Sequence, residues 1–194
     1  MDSKSTLEQW HVTAIKSLWD VHADNINKHF DITETFLLPK LKKHASTIPD
    51  AAIIRSHRSL KAQVSSIQSS ISVLRPGRLD KKYRRNLAHE LNAYNSDLRD
   101  HFAFKKRSVL NQSKSAMTPF QWGRTLQKYM EKGGVEMGSF IHHMGVETFR
   151  QEWMSFCKLP QFLWGVHFKK GWEKFDNNWQ RHVSALERNV APSF

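Results

Sequence analysis

His22-Ala23-Asp24-Asn25-Ile26-Asn27-Lys28-His29-Phe30-Asp31-Ile32-Thr33-Glu34-Thr35-Phe36-Leu37-Leu38-Pro39 is the stretch on which the fold turns. At 3.6 residues per turn, His11, His22 and His29 fall within about 20° of whole turns of one another and share one helix face. Ile15, Leu18, Ile26, Thr33 and Phe36 lie on that same face, so the histidines point toward a core. No breaker interrupts the pattern before Pro39, which lacks the amide proton a continuing helix needs and is predicted to end it after Leu38. Upstream, Ser5-Thr6-Leu7-Glu8 has the form of a capping box, with Ser5 as cap and Glu8 reaching back to it. The first helix is therefore predicted from Ser5 to Leu38.

The same period continues downstream. A second helix is predicted from Asp50, after Pro49, to Leu74, carrying the stripe His57, Leu60, Val64, Ile67, Ile71 and Leu74; Pro76-Gly77 then forces a turn. A third runs from Asp80 to Leu110 with Leu87, Leu91, Tyr94, Leu98, His101 and Lys105 inward. Strand alternation is absent. Three long helices with short links predict an all-α, up-down antiparallel bundle over residues 1–113. The remainder, 114–194, reads as further helix folded on the bundle within one structural domain. Thr118-Pro119 opens a short helix closed by Gly133-Gly134, segments follow over 135–144 and 147–158, and a last helix comes after Pro160. Of seven tryptophans, five fall here: Trp122, Trp153, Trp164, Trp172 and Trp179. Three bundle helices leave an apolar groove that this region, or a helix from another subunit, must cover.

Composition narrows the functional classes. With 39% hydrophobic residues and a mean hydropathy of −0.60, the chain is too apolar for disorder and too polar for a membrane-spanning protein. The N-terminal residues lack a signal-peptide hydrophobic region, so an intracellular location, cytoplasmic or inside an organelle, is expected. The lone Cys157 reads as a small core hydrophobe. Lys and Arg number 30 against 18 acids, leaving +12, which calls for an acidic partner. Arg75, Arg78, Lys81, Lys82, Arg84 and Arg85 crowd one turn region, and Lys105-Lys106-Arg107 form a second cluster. Nucleic acid is one reading. No zinc-finger, glycine-rich or RNA-recognition motif accompanies the charge, and an acidic protein surface within a larger complex is the preferred one. Trp164, Trp172 and Trp179 are candidate anchors for such a contact.

Three helices each turning a histidine inward suggest converging imidazoles, as in bundles that hold metal ions. The run from His22 to Pro39 resembles the haemerythrin-like signature of a histidine, acids a turn on, two hydrophobes and a proline. Ser56-His57-Arg58-Ser59-Leu60 is similar to the start of that family's next helix, and Leu98-Arg99-Asp100-His101-Phe102-Ala103-Phe104-Lys105-Lys106 to its second histidine motif. Met137 to Ile141, Met144 to Arg150 and Leu159 to Trp164 resemble the tail of haemerythrin-like proteins from unicellular algae and related eukaryotes. The resemblance implies a haemerythrin-like bundle with metal candidates His29, His57 and His101, and Glu34 or His22 as substitutes.

The departures from that pattern shape the expected function. Registered on Pro39, the family's bridging glutamate falls on Thr33, with Glu34 about 100° off the face. Lys105 and Lys106 stand where the third helix would carry paired acids, Lys61 stands where another histidine would follow His57, and the family's opening helix has no counterpart. A protonated lysine offers no lone pair to a metal. Di-iron chemistry is therefore expected to be lost, with Lys105 paired to an acid or reaching solvent, and the chain serving as a structural or interaction subunit rather than an enzyme. The alternative is a residual site holding a single iron or zinc ion that binds oxygen or nitric oxide or supports oxidative chemistry. His143 and Glu147, one turn apart, read as an ion pair.

Overall fold

The structure, a computed structural model, describes residues 6–43, 48–110, 118, 121, 123–125, 128, 138, 141, 145–156 and 160–191. It is all-α, with one short pairing of extended segments, β1 (Thr6–Leu7) against β2 (Gly77–Arg78). Helix α1 spans Gln9–Ile32, passes through a π-turn at Thr33–Leu37, and continues as α2, Leu38–Lys42. Helix α3 spans Asp50–Ser72, and α4 spans Lys81–Lys105 with a π-turn at Lys106–Leu110. Beyond these come α5 (Val146–Thr148), a π-turn at Phe149–Trp153, α6 (Met154–Phe156), a π-turn at Trp164–Phe168, and α7 (Lys169–Arg188). No described helix is long and apolar enough to cross a membrane.

Helix starts follow local chemistry. Glu8, not Ser5, caps α1: its side chain accepts from the backbone of His11, and its own amide donates to His11 Nδ1 at 3.0 Å. Ser5 lies outside the described residues. Here a Glu/His reciprocal pair has taken the role expected of the Ser/Glu pair, and Thr6 and Leu7 are left to pair with β2. Asp80 caps α4 by accepting from the Tyr83 amide at 2.9 Å. Thr118 behaves as expected, exchanging hydrogen bonds with Gln121: its amide donates to Oε1 at 3.0 Å and its hydroxyl accepts from the Gln121 amide at 3.3 Å. Gly77 turns the chain between α3 and α4 at a φ of +122°, open to glycine and strained for other residues.

Pro39 does not end the first helix. A proline inside a helix would collide with the carbonyl four residues back and leave it unbonded. The π-turn resolves this by widening one turn, so the Leu38 amide bonds back to the Thr33 carbonyl and the helix continues to Lys42.

The three long helices run up, down and up. Antiparallel registration of α1 and α3 shows in Lys16 with the Ser72 carbonyl, Gln68 with Asp20 and Lys61 with Asp31, at 3.0, 2.9 and 2.6 Å. For α3 and α4 it shows in Ser70 with Glu90 and Gln63 with Asp97, at 3.0 and 2.6 Å. Between them lies a core of Trp19, Ile26, Phe30, Leu60, Val64, Ile67, Ile71 and Tyr94. Each fully buried aliphatic side chain there contributes about 1.5–3 kcal/mol. A second core at the other end joins Leu37, Leu38, Leu41, Ile53 and Val109 to Ile141, Phe149 and Met154, so the C-terminal region shares a core with the bundle.

The last helix of the chain, α7, lies against one side of the bundle. It packs on α1, with Phe175 and Trp179 facing Leu18 and Val21 across a small cavity. His11 Nε2 meets Asn189 Oδ1 at 2.6 Å, and Asn189 terminates α7 in the left-handed conformation, φ 52°. The start of α1 is thus latched to the end of α7, and the two helices are antiparallel. A close approach elsewhere holds α7 in place: a Cβ added at Gly138 would meet the Gly171 carbonyl, and Phe175 Cβ at 2.7 Å.

Candidate functional site

Where the two cores meet, one layer of the bundle is polar. Helix α1 brings His29 and, at the π-turn, Thr33 and Glu34; α3 brings Ser56 and His57; α4 brings His101 and Lys105. Phe30 fills the space among them, stacked on His57 at 4.4 Å and edge-on to His101 at 5.8 Å. His57 and His101 lie with ring centroids 4.8 Å apart. Both are buried, as is Thr33, whereas His29 and Lys105 are half-buried.

The hydrogen bonds fix roles. His57 Nδ1 donates to Glu34 Oε1 at 2.8 Å, since a carboxylate only accepts. Glu34 was expected about 100° off the face, but it lies at the widened turn and reaches His57. Lys61 steadies the same carboxylate from 3.9 Å while bonding Asp31 at 2.6 Å. His101 Nδ1 and Ser56 Oγ are 3.0 Å apart. Lys105 Nζ lies 3.0 Å from His29 Nε2 and donates to Thr33 Oγ1 at 2.9 Å. The expectation that Lys105 pairs with an acid or reaches solvent is corrected: its partners are an imidazole and a hydroxyl. Asp31 is drawn off by Lys61, and Asp100 lies in the groove between α3 and α4.

Electrostatically the layer is short of positive charge it can hold. Burial drives Lys105 down to about 7. His57 is lowered to about 3, first by burial and then by the charge of Lys105; His101 is lowered to about 4 by burial and then by His57 and Lys105. His29 is held well below its ordinary value by burial and then by Lys105. The imidazoles are neutral at pH 7. The Nε2 atoms of His57 and His101 are buried without a hydrogen-bond partner.

The other candidates lie elsewhere. His22 is two turns away and bonds Tyr94 OH through Nε2 at 2.7 Å, so it belongs to the apolar core rather than to this layer. Trp164 and Trp172 pack on the second core, 6.1 Å apart, and Trp179 stacks on Phe175 at 5.8 Å. All three are half-buried and used within the chain. Arg75, Lys81, Lys82, Arg84 and Arg85 are exposed at one end of the bundle, where Arg75 donates to the carbonyl of Ser72, the last residue of α3, and to that of Leu74 just beyond it, at 2.9 Å each. Arg78 lies in β2, its backbone paired with Thr6. Cys157, His143 and Trp122 lie outside the described residues.

The donor set does not fit a pair of metal ions. Where the resemblance would put bridging carboxylates stand the Thr33 hydroxyl and the Lys105 amine, and the nearest carboxylate, Glu34, is turned to His57. Among the described residues no group of three or more His, Cys, Asp or Glu side chains is disposed to hold a metal ion. Fold and site together define a class: an all-α bundle with a histidine and lysine layer at its centre. No protein-family model matches the chain, and neither a curated protein nor a solved structure does.

Proposed function

We propose that this chain is a haemerythrin-like scaffold that has given up di-iron chemistry and works as a structural or interaction subunit of a larger assembly, not as an enzyme. The observation that carries the reading is Lys105 Nζ seated between His29 Nε2 and Thr33 Oγ1. An amine there ties α4 to α1, as a shared metal would, while repelling a dication whenever it is protonated. The strong positive charge and the exposed basic end of the bundle support a role in assembly. Elemental analysis of protein produced with iron and zinc present tests this: the expected result is no stoichiometric metal. Two irons per chain with an oxo-bridge absorption band would refute it. A second reading, one iron or zinc ion bound to imidazoles, draws on the unpartnered Nε2 atoms of His57 and His101; one ion per chain, lost in the H57F variant, would favour it.

A further inference from the structure

Helix α4 is divided by charge along its whole length. Its acids lie mostly on the side toward α3, although Asp97 and Asp100 are exposed. Glu90 accepts from Ser70 at 3.0 Å, Asp97 accepts from Gln63 at 2.6 Å, Asp100 lines the groove against α3, and Asp80 caps the Tyr83 amide. The side turned away from α3 is predominantly basic, with the exposed Asp100 at its edge, at the helical angle of Lys82. Lys81, Lys82, Arg84 and Arg85 occupy the first turns, Arg99 lies further along, and Lys106 and Arg107 follow at the far end, all of them exposed. At 100° per residue these cations fall within an arc of about 160°, and at 1.5 Å per residue they extend over about 39 Å. Asn92, Asn95 and Ser96, also exposed, fill the middle of the stripe with neutral hydrogen-bonding groups.

This arrangement works against the helix on its own. The first turn of α4 carries no acid, and its cations sit at the positive end of the helix dipole, where they are unfavourable. Among the described residues Lys81, Lys82, Arg85, Arg99, Lys106 and Arg107 form no ion pair. A compact acidic patch would engage only part of a stripe this long. A linear polyanion matches its length, its predominantly positive charge and its amide and hydroxyl groups, which suit phosphate and sugar oxygens.

We propose that the outer face of α4 binds the phosphodiester backbone of nucleic acid, without reading base sequence. This rests on the assembly role argued above and names the partner. The two readings fail separately, because metal content reports on the interior and oligonucleotide affinity on the face.

The test measures fluorescence anisotropy with labelled duplex RNA, duplex DNA and single-stranded RNA, from 50 to 200 mM salt. If five or six phosphates are neutralised, affinity falls about 10³-fold across that range for a duplex. The K82E/R85E/R99E variant should lose at least tenfold in affinity, with a salt dependence flatter by about three powers. K40E/K43E/K170E changes the net charge equally at exposed positions off the stripe and should bind as wild type does. Circular dichroism confirms that each variant is folded, and the arm that binds tightest identifies the nucleic acid. Equal losses in the two triple variants would overturn the proposal, as would no binding to any oligonucleotide alongside stripe-dependent binding to polyglutamate or to phosphatidylserine vesicles.

Discussion

Lys105 gives the most direct reading of the interior. Its amine titrates near 7 in the folded protein, against 10.5 for an ordinary lysine. Between those values the unfolded chain holds a proton that the folded chain does not, so stability rises with pH across the window. It is lost again as pH falls from 10.5 toward 7. The slope is about 1.4 kcal/mol per pH unit, so raising the pH from 7.5 to 9.5 strengthens the fold by about 2–3 kcal/mol through this one group. Lys105→Met keeps the length and apolar stem of the side chain but removes the titration. Urea unfolding followed by tryptophan fluorescence at pH 7.5, 8.5 and 9.5 gives two stability curves, and every other titrating group cancels in their difference. The expected difference shifts by about 2–3 kcal/mol in favour of wild type as pH rises. Parallel curves would mean that Lys105 stays protonated in the bundle, and the account of its burial would be wrong.

His57 and His101 titrate near 3 and 4 when folded, against 6.5 ordinarily, so stability falls as pH drops from 6.5 toward 4, by about 1.4 kcal/mol per unit for each histidine. His101→Gln should remove about half of that extra slope in urea titrations at pH 6.5, 5.5 and 4.5, and an unchanged slope would count against the assignment. Gly138→Ala places a methyl against the Gly171 carbonyl and Phe175 Cβ; α7 should be displaced at a cost of about 1–3 kcal/mol, read as a lower thermal midpoint, and an unchanged midpoint would contradict the packing. Replacing Thr33 and Lys105 together with glutamate returns two carboxylates to the layer of His29, His57 and His101. The variant should gain iron or zinc in elemental analysis, and no gain over wild type would undercut the view that the amine stands in place of ligands.

The helices were legible because their apolar stripes are long: His57 to Leu74 on α3 and Leu87 to His101 on α4 allow few other registers. The histidine layer followed from the same stripes. Where one turn departs from 3.6 residues, the reading failed. Pro39 looked like a stop because a proline removes a donor, and nothing in the residue types shows that the chain keeps its helix by widening the turn at Thr33–Leu37. Glu34 entered the layer at that same turn. The partner of Lys105 was misjudged for another reason: the nearby acids are claimed by residues far off in sequence, Asp31 by Lys61 at 2.6 Å. The start of α1 had two overlapping capping patterns, Ser5 with Glu8 and Glu8 with His11, and the second ties in the distant Asn189. A last helix after Pro160 was readable. That it lies antiparallel on α1 was not, because the latch joins residues at opposite ends of the chain.

Why such a layer keeps its histidines follows from the hydrogen bonds it makes. Glu34 with His57 ties α1 to α3, Ser56 with His101 ties α3 to α4, and Lys105 with His29 and Thr33 ties α4 to α1. Each pair of helices in the triangle is thus joined by a polar contact at one level, which fixes their relative rotation as a shared ion would. Apolar packing alone tolerates sliding between near-equivalent registers, whereas a buried donor moved off its acceptor loses about 1–3 kcal/mol. Removing one imidazole therefore does more than open a cavity, since it strands a carboxylate, a hydroxyl or an amine inside the bundle. Lys105 suits its place because its depressed titration point lets it enter as a neutral amine, donating two hydrogen bonds without carrying a full charge into the core.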